Sequence, residues 1–453
     1  MKVGLGLGQI NQPQIWQFHQ SLKIDDKLPS MSIEFNNKRQ STNSKKVQFS
    51  DIWTFTSGGG GTYYDSEGYR KVAAANELRY DTDPVTKQSN GALLECLSRT
   101  NYVAMSRTLD WTGSGDGVST TVNDGYGTWG EQTALSVTLL STGEVCWLGG
   151  VLNGFTNNGS PFSQSIDIKR IGIHTKNRYF LIKVRSSDWS QQAGVVIDLQ
   201  NNTVTAKTNG GATIGNVMIE QLVDGYYRIH AENCIISSGY ATLSIENGFC
   251  NSVGDILGGG SGFGDDASGC YLENHQLELG KSSTSYIPTL SSNVTIARDS
   301  LNSTGSKFSD WYNQSEGTIV IKHKVNNPKL NNMRVFDINE GASISRMINY
   351  LETNNNEVMF SSASISVLGV SQGAIRVNGN IIDQNMVSII SYKENDIIHI
   401  NSLGQAIDNT ALIPTVNRLD IYNSFTGDGL AGVVESISYY PFRATNAELQ
   451  RIV

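Results

Sequence analysis

Cysteine is scarce in this chain. Five thiols (Cys96, Cys146, Cys234, Cys250 and Cys270) are scattered over 453 residues, odd in number and without a C-x-x-C pair. That spacing argues against a disulfide framework and a zinc site, and the expectation is reduced, buried thiols in a protein made in a cytoplasm. Charge is sparse too, at 17% of residues with a net of −8, and no run of Lys and Arg offers a footprint for phosphates. A nucleic-acid partner is therefore not expected. No segment approaches the ~18 consecutive apolar residues of a membrane span, and the opening M-K-V-G-L-G-L-G-Q-I-N-Q-P has no sustained apolar core or small-residue cleavage site, so it does not read as a secretory signal. Proline is rare (8) while glycine is common (46), a turn-rich β composition rather than a charged helical or disordered one.

The usual signatures of catalysis are also missing. The six histidines form no H-x-x-x-H or H-x-H, and no G-x-S-x-G elbow is present. Glycan hydrolysis needs two carboxyls about 5–10 Å apart. Asp81 and Asp83 have alternate spacing but abut Pro84, Asp337 and Glu340 close a strand, and Glu273 and Glu278 fall on opposite strand faces. All of these read as solvated carboxylates. Gly113–Gly117 and Gly264–Ser268 carry oxygen ligands but lack the alternating pattern of a calcium loop, so ordinary turns are favoured over structural Ca²⁺ and no cofactor is expected.

What is present is a long series of short β-type runs, such as 134–140, 166–173, 179–184, 195–199 and 226–230, then 318–322, 333–338, 386–392 and 433–440. Polar Gly/Asn/Ser turns separate them. Spacing of ~8–12 residues is the pattern of a sandwich or jelly roll, and the length calls for more than one core. The chain is organised around residues 269–299. The first part alternates imperfectly, with Glu273 and His275 interrupting one face, and reads as the last strand of a first sandwich. Pro288 then takes the chain out of the sheet, as a tether to a second sandwich. Asp65–Gly68 and Asp83–Thr86 read as turns, Asn378–Gly379 as a hairpin turn, and 445–453 as a helix in which Thr445 and Glu448 form a capping box.

Residues 1–50 differ. Gln, Asn, Ser and Lys dominate around isolated Ile10, Ile15, Trp16 and Phe18, too few for a core. They are expected to form an extended anchor arm ordered by a partner, with Ile15, Trp16 and Phe18 as its anchoring groups. The remaining expectations are a hairpin-rich connector over 51–110 packed on the first sandwich, a jelly roll over 111–290, and a second sandwich over 291–453. Flat aromatics beside Asn, Asp and Gln suit sugars. Trp147, inside an apolar run, reads as core. Trp129 and Trp189 sit in loop-like contexts, and with Trp311 and Tyr422 they are the glycan-binding candidates.

One set of motifs goes further. Thr62–Gly68 with Ala73–Tyr80, Asp83–Thr86, Gly91–Glu95 and Ser98–Asn101 are followed by Asp198–Val204, Asp224–Arg228, Gln276–Glu278 and Thr284–Thr289. Ile437–Pro441 with Ala444–Gln450 completes the set. In this order and spacing, over residues 62 to 453, the sequence resembles the tailed-phage head spike or head fibre proteins with concanavalin-like lectin (laminin-G-like) domains. The resemblance implies an all-β chain of two consecutive jelly-roll/concanavalin-like β-sandwiches after an N-terminal anchor arm, with a short C-terminal helix. It also implies a non-enzymatic virion protein, on head or tail, that is homotrimeric, attaches to a capsid or tail protein and contacts host-surface or mucosal glycans. A tail-spike depolymerase of capsular polysaccharide is the alternative.

Overall fold

The computed structural model describes residues 22–107, 113–114, 117–141, 147–150, 152, 154–172, 178–250, 252–254, 267–325, 333–353, 359–378, 385–422 and 431–453. The chain is all-β and divides into two compact units, Thr56–Asp299 and Met1–Phe55 with Ser300–Val453.

The first unit is a sandwich of two six-stranded sheets. One runs Gly113–Ser114, Trp147–Gly150, Leu243–Cys250, Tyr179–Ser186, Gln192–Asp198, Thr203–Asn209. The other runs Val118–Tyr126, Gln132–Leu139, Gly269–Leu279, Phe162–Ile171, Tyr227–Cys234, Asn216–Gln221. Alternate apolar residues of each, among them Ile166, Ile168, Ile229 and Leu272 on one side and Phe180, Ile182, Val195 and Phe249 on the other, make one core. Cys96, Cys234, Cys250 and Cys270 are buried and not joined in disulfides. Cys146 lies outside the described residues.

The strand Gly269–Leu279 explains its own broken alternation. Ser165 pairs with Gln276, but Asp167 pairs with Glu273, so the register slips by one residue. Asn274 absorbs the extra residue at φ 56°, a left-handed conformation that Asn tolerates. Cys270 and Leu272 before the bulge and Leu277 after it thus all reach the core, while Glu273, Gln276 and Glu278 are left for the opposite face. That face is also buried. The chain does leave the sheet after Leu279, but 284–289 turn back on the same strand. Ile287 N donates to Gln276 Oε1 (2.7 Å), Thr284 N and Oγ1 donate to Glu278 (2.7 and 2.9 Å), and Tyr286 Oη lies 2.6 Å from Ser106 Oγ.

In the second unit an eight-strand path runs Lys45–Lys46, Arg39–Thr42, Met31–Glu34, Ala431–Tyr440, Glu316–Val325, Asn385–Lys393, Asp396–Asn401, Gly404–Asp408. The second sheet runs Val370–Asn378, Met359–Val367, Arg346–Thr353, Met333–Asn339, Arg418–Ile421, Ser300–Thr304, Thr54–Thr56. His399 of the first sheet is buried against the second: its Nε2 is 2.9 Å from Ser361 Oγ and its Nδ1 is 3.0 Å from Ile389 O. The terminal helix Asn446–Ile452 forms where expected, but only half of the capping box is made: Thr445 accepts from Glu448 N, while the Glu448 carboxylate pairs with Arg451; Leu449 packs with Ile24, Val320 and Tyr440.

Two expectations need correction. Residues 22–50 are not an arm. Met31–Glu34 pairs along Ser436–Tyr439, and Ile24, Met31, Ile33 and Phe35 are buried. The segment gains a core only by joining a strand some 400 residues later, which local composition does not reveal. The division also falls at residues 55 and 299, so the expected 51–110 connector belongs to both units in sequence and the second sandwich is built from both ends of the chain. The expected Asn378–Gly379 hairpin turn runs into residues 379–384, which lie outside the described residues. Val370–Asn378 pairs with Met359–Val367, and Asn385–Lys393 lies in the other sheet.

Candidate functional site

The four aromatic candidates occupy different surroundings. Trp129 is buried (6% exposed): its indole N–H donates to Asn274 Oδ1 at 2.9 Å, Arg107 lies 4.3 Å over the ring, and Tyr286 meets its edge. Trp311 is 3% exposed, donates to Lys307 O, and packs edge-on to Phe308 and Tyr439. Tyr422 is fully buried, with its hydroxyl donating to Val433 O at 3.2 Å. These three are core or second-core residues and present no ring to a sugar, which corrects their selection. Their polar ends found partners inside the protein, so a loop-like sequence context was a poor guide to exposure. Trp189 is 46% exposed. Ile15, Trp16 and Phe18, and residues 115–116 and 264–266 of the two turns weighed against calcium, lie outside the described residues. Among the described residues no cluster of three or more His, Cys, Asp and Glu side chains could hold a metal.

Trp129 caps a buried charge network. Asp167 accepts from Arg70 Nη2 (2.8 Å), Arg228 Nη1 (2.6 Å) and Asn274 Nδ2 (2.7 Å). Burial alone would raise its pKa, but the two guanidiniums outweigh that and hold it below the ordinary range. On the neighbouring strand Glu273 accepts from Thr128 N and from Thr133 Oγ1 (3.1 Å). Burial, then the Asp167 charge, push it up to about 7. Gly127 makes room for it, because a Cβ there would fall 2.1 Å from Glu273 Oε2. Asp167 and Glu273 are thus a cross-strand carboxyl pair, but both are 0% exposed, and a glycan has no approach to them. A second buried network joins Arg79 to Glu95 (2.7 Å), Asp299 (2.5 Å) and Ser285 Oγ (2.9 Å). Both tie residues 62–107 to the sandwich.

Trp189 sits differently. Ser186, Ser190 and Asp188 build its turn: Asp188 Oδ1 accepts from Ser186 Oγ (2.7 Å), Ser190 N (3.0 Å) and Ser190 Oγ (2.8 Å). The turn holds Trp189 at φ 66° and lays its ring over the outer face of the Tyr179–Ser186 sheet. There the Arg185 guanidinium is 3.7 Å from the ring centroid and Lys183 Nζ is 5.4 Å away. Glu246 pairs with Arg185, and Lys183 donates to Gln192 Oε1 at 3.0 Å. Opposite Glu246 stands Gly149, where a Cβ would touch nothing within 4 Å. The result is an exposed ring on a polar floor with open space beside it. An apolar C–H face can stack on such a ring while the hydroxyls find donors and acceptors at its edge.

The second unit has a polar pocket that the sequence did not suggest. Arg334, Arg346, Ile348, Tyr350, Glu352 and Ser364 line a volume of about 280 Å³ on the outer face of the Met333–Asn339/Arg346–Thr353/Met359–Val367 sheet. Alternation on three strands, the signal for such a face, was legible, but the bulge between Arg334 and Phe336 disguised it.

No family model matches the chain, and no curated protein matches it. Among solved structures it is similar to domains LG4-5 of the mouse laminin alpha1 chain, at 8% identity and a TM-score of 0.22, over 62% of this chain and 85% of that one. It is also similar to Trypanosoma rangeli sialidase in complex with the inhibitor DANA, at 9% identity and a TM-score of 0.25, over 71% of this chain and 66% of that one. Both likenesses are distant, and the β-sandwich architecture rests on the sheets described above.

Proposed function

We propose that this protein is a non-enzymatic virion component of a tailed phage, a head or tail fibre or decoration that binds host-surface or mucosal glycans. The observation that carries the binding reading is Trp189, a large ring held in solvent by a dedicated turn over Arg185, Lys183 and Glu246. Leaving such a group exposed costs apolar hydration, which a sugar face would relieve. The ordered motif resemblance over residues 62–453 supports the particle context. In this reading the chain is a homotrimer, residues 1–21 with Ile15, Trp16 and Phe18 engage a capsid or tail protein, and display of many copies turns weak sugar binding into avidity.

A glycan array probed with the multimerised full chain tests it. Retention on a subset of glycans that is lost in W189A is expected, and a blank array at high valency would overturn the binding reading. Cryo-electron microscopy of a particle carrying the protein tests its placement. For the depolymerase reading, Asp337 and Asp420, like Asp167 and Glu273, face each other across adjacent strands. All four are buried, and Asp420 is already engaged by Arg418 (2.8 Å) and Asn339 (2.9 Å). Release of new reducing ends from host polysaccharide would revive that reading.

A further inference from the structure

The floor beneath Trp189 brings an amine, a carboxamide and a carboxylate together. Lys183 is fully buried, and no other lysine among the described residues is. On one side it stands directly opposite Glu246. On the other it stands opposite Gly194, with Gln192 two residues along the same strand. A Cβ at Gly194 would fall 2.6 Å from Lys183 Cβ, so the glycine leaves Lys183 room to lean across towards Gln192. Its Nζ donates to Gln192 Oε1 at 3.0 Å.

Each of the three groups is held in place. Gln192 is fully buried too, and its Nε2 donates to Trp189 O at 3.3 Å, which fixes the amide with Oε1 towards the amine. Arg185 occupies Glu246 Oε1, while Oε2 accepts no hydrogen bond and stands 3.5 Å from Lys183 Nζ. The Trp189 ring lies over the amine, its centroid 5.4 Å from Nζ. An ammonium is costly to bury even when it is paired. Reacting groups held in contact behave as if highly concentrated, with effective molarities of about 10⁵–10⁸ M for well-oriented pairs.

We propose that Lys183 and Gln192 join in an intramolecular isopeptide bond, with Glu246 carrying the protons. Glu246 Oε2 takes one proton from the Lys183 ammonium and leaves a neutral amine. The amine lone pair adds to Cδ of Gln192, whose carbonyl was already polarised by its hydrogen bond from Nζ. Glu246 then gives its proton to Nε2 and takes a second one from Nζ. The Cδ–Nε2 bond breaks, ammonia leaves, and it departs as ammonium with the proton that Glu246 holds. The new bond is the amide between Nζ and Cδ, and the step consumes no oxidant, metal or co-reactant. It replaces a buried charge by a neutral amide and ties together the two strands that carry the Trp189 turn. It stands whether or not the ring binds sugar.

Mass spectrometry of the purified full chain tests this without any substitution. The chain is expected to be one ammonia lighter than its sequence. Trypsin should release residues 179–185 and 186–207 as one branched species, since an acylated Lys183 is no longer cut. K183R and Q192L, which remove the amine and the carboxamide, should each show the full sequence mass and unjoined fragments. E246Q keeps both reacting groups and should also be recovered unjoined. A wild-type chain that stays at its full sequence mass after prolonged incubation would overturn the assignment, as would a missing ammonia that maps to any other pair of residues. A joined E246Q chain would overturn the role given to Glu246.

Discussion

Asp167 and Asp337 are both buried aspartates on strands, each beside arginines, yet they are treated in opposite ways. Asp167 receives three strong hydrogen bonds, and residues 62–107 and 128–129 close over it. Asp337 receives none, and the face around it opens into a pocket. A buried charge whose every lone pair is met has been spent on architecture. In the first sandwich it lets a connector of few apolar residues seal a polar sheet face. A buried carboxyl that accepts no hydrogen bond is a cost that the fold carries. The contrast therefore sorts polar clusters into those that hold the fold and those that do not, and it can be broken by mutation.

The largest effect should follow D167A. It strands Arg70 and Arg228, each about 3% exposed, without their shared counter-ion, and removal of one partner of a buried pair costs about 3–5 kcal/mol. Urea unfolding of the first sandwich is the measurement. A loss below about 1 kcal/mol would mean that the network contributes little and that the contrast with Asp337 is empty.

The second effect has the opposite sign. Glu273 has a pKa raised to about 7, above the ordinary carboxylate range. The folded state therefore holds its proton more tightly than the unfolded chain does, and stability falls as pH rises through that window. E273Q removes the ionisation while Thr133 Oγ1 can still pair with the amide. The variant should match wild type near pH 4 and exceed it by about 3 kcal/mol at pH 8. A constant offset at both pH values would show that Glu273 is not carrying that charge.

These networks mark the limit of what the sequence discloses. The β runs, the Asp65–Gly68 turn between Thr62–Tyr64 and Arg70–Val72, the Asp83 turn and the capped terminal helix were legible, because each is decided by residues adjacent in sequence. The Asn274 bulge showed only as a defect in alternation. Residues 22–50 read as coreless because their core lies along 431–440. The pocket, whose lining spans Arg334 to Ser364 across three strands, was disguised by the bulge between Arg334 and Phe336. Trp129 was misjudged because its burial depends on Arg107, Asn274 and Tyr286, none of them its neighbour in sequence.

Asp337 should be the gentler counterpart of Asp167. It has no hydrogen bond to lose, and Arg346 remains 18% exposed to water. D337N should therefore change stability by no more than about 1 kcal/mol near pH 5. Since the pKa of Asp337 is raised to about 6, the wild type loses stability as pH climbs through that value and the variant does not, so D337N should gain on wild type towards pH 8. A loss as large as that of D167A would place Asp337 among the architectural charges.

The smallest structural effect should belong to the residue with the largest functional one. Trp189 lies outside the core, and its turn is held by Asp188, Ser186 and Ser190 rather than by the ring. W189A forfeits the contact with Arg185, worth about 0.5–1 kcal/mol at an exposed site, and leaves Arg185 paired with Glu246. Unfolding should thus shift by under about 1 kcal/mol while glycan retention disappears. If W189A kept its glycans but destabilised the first sandwich strongly, the ring would be a lid for Lys183 and Arg185, and the outer face would join the architectural class.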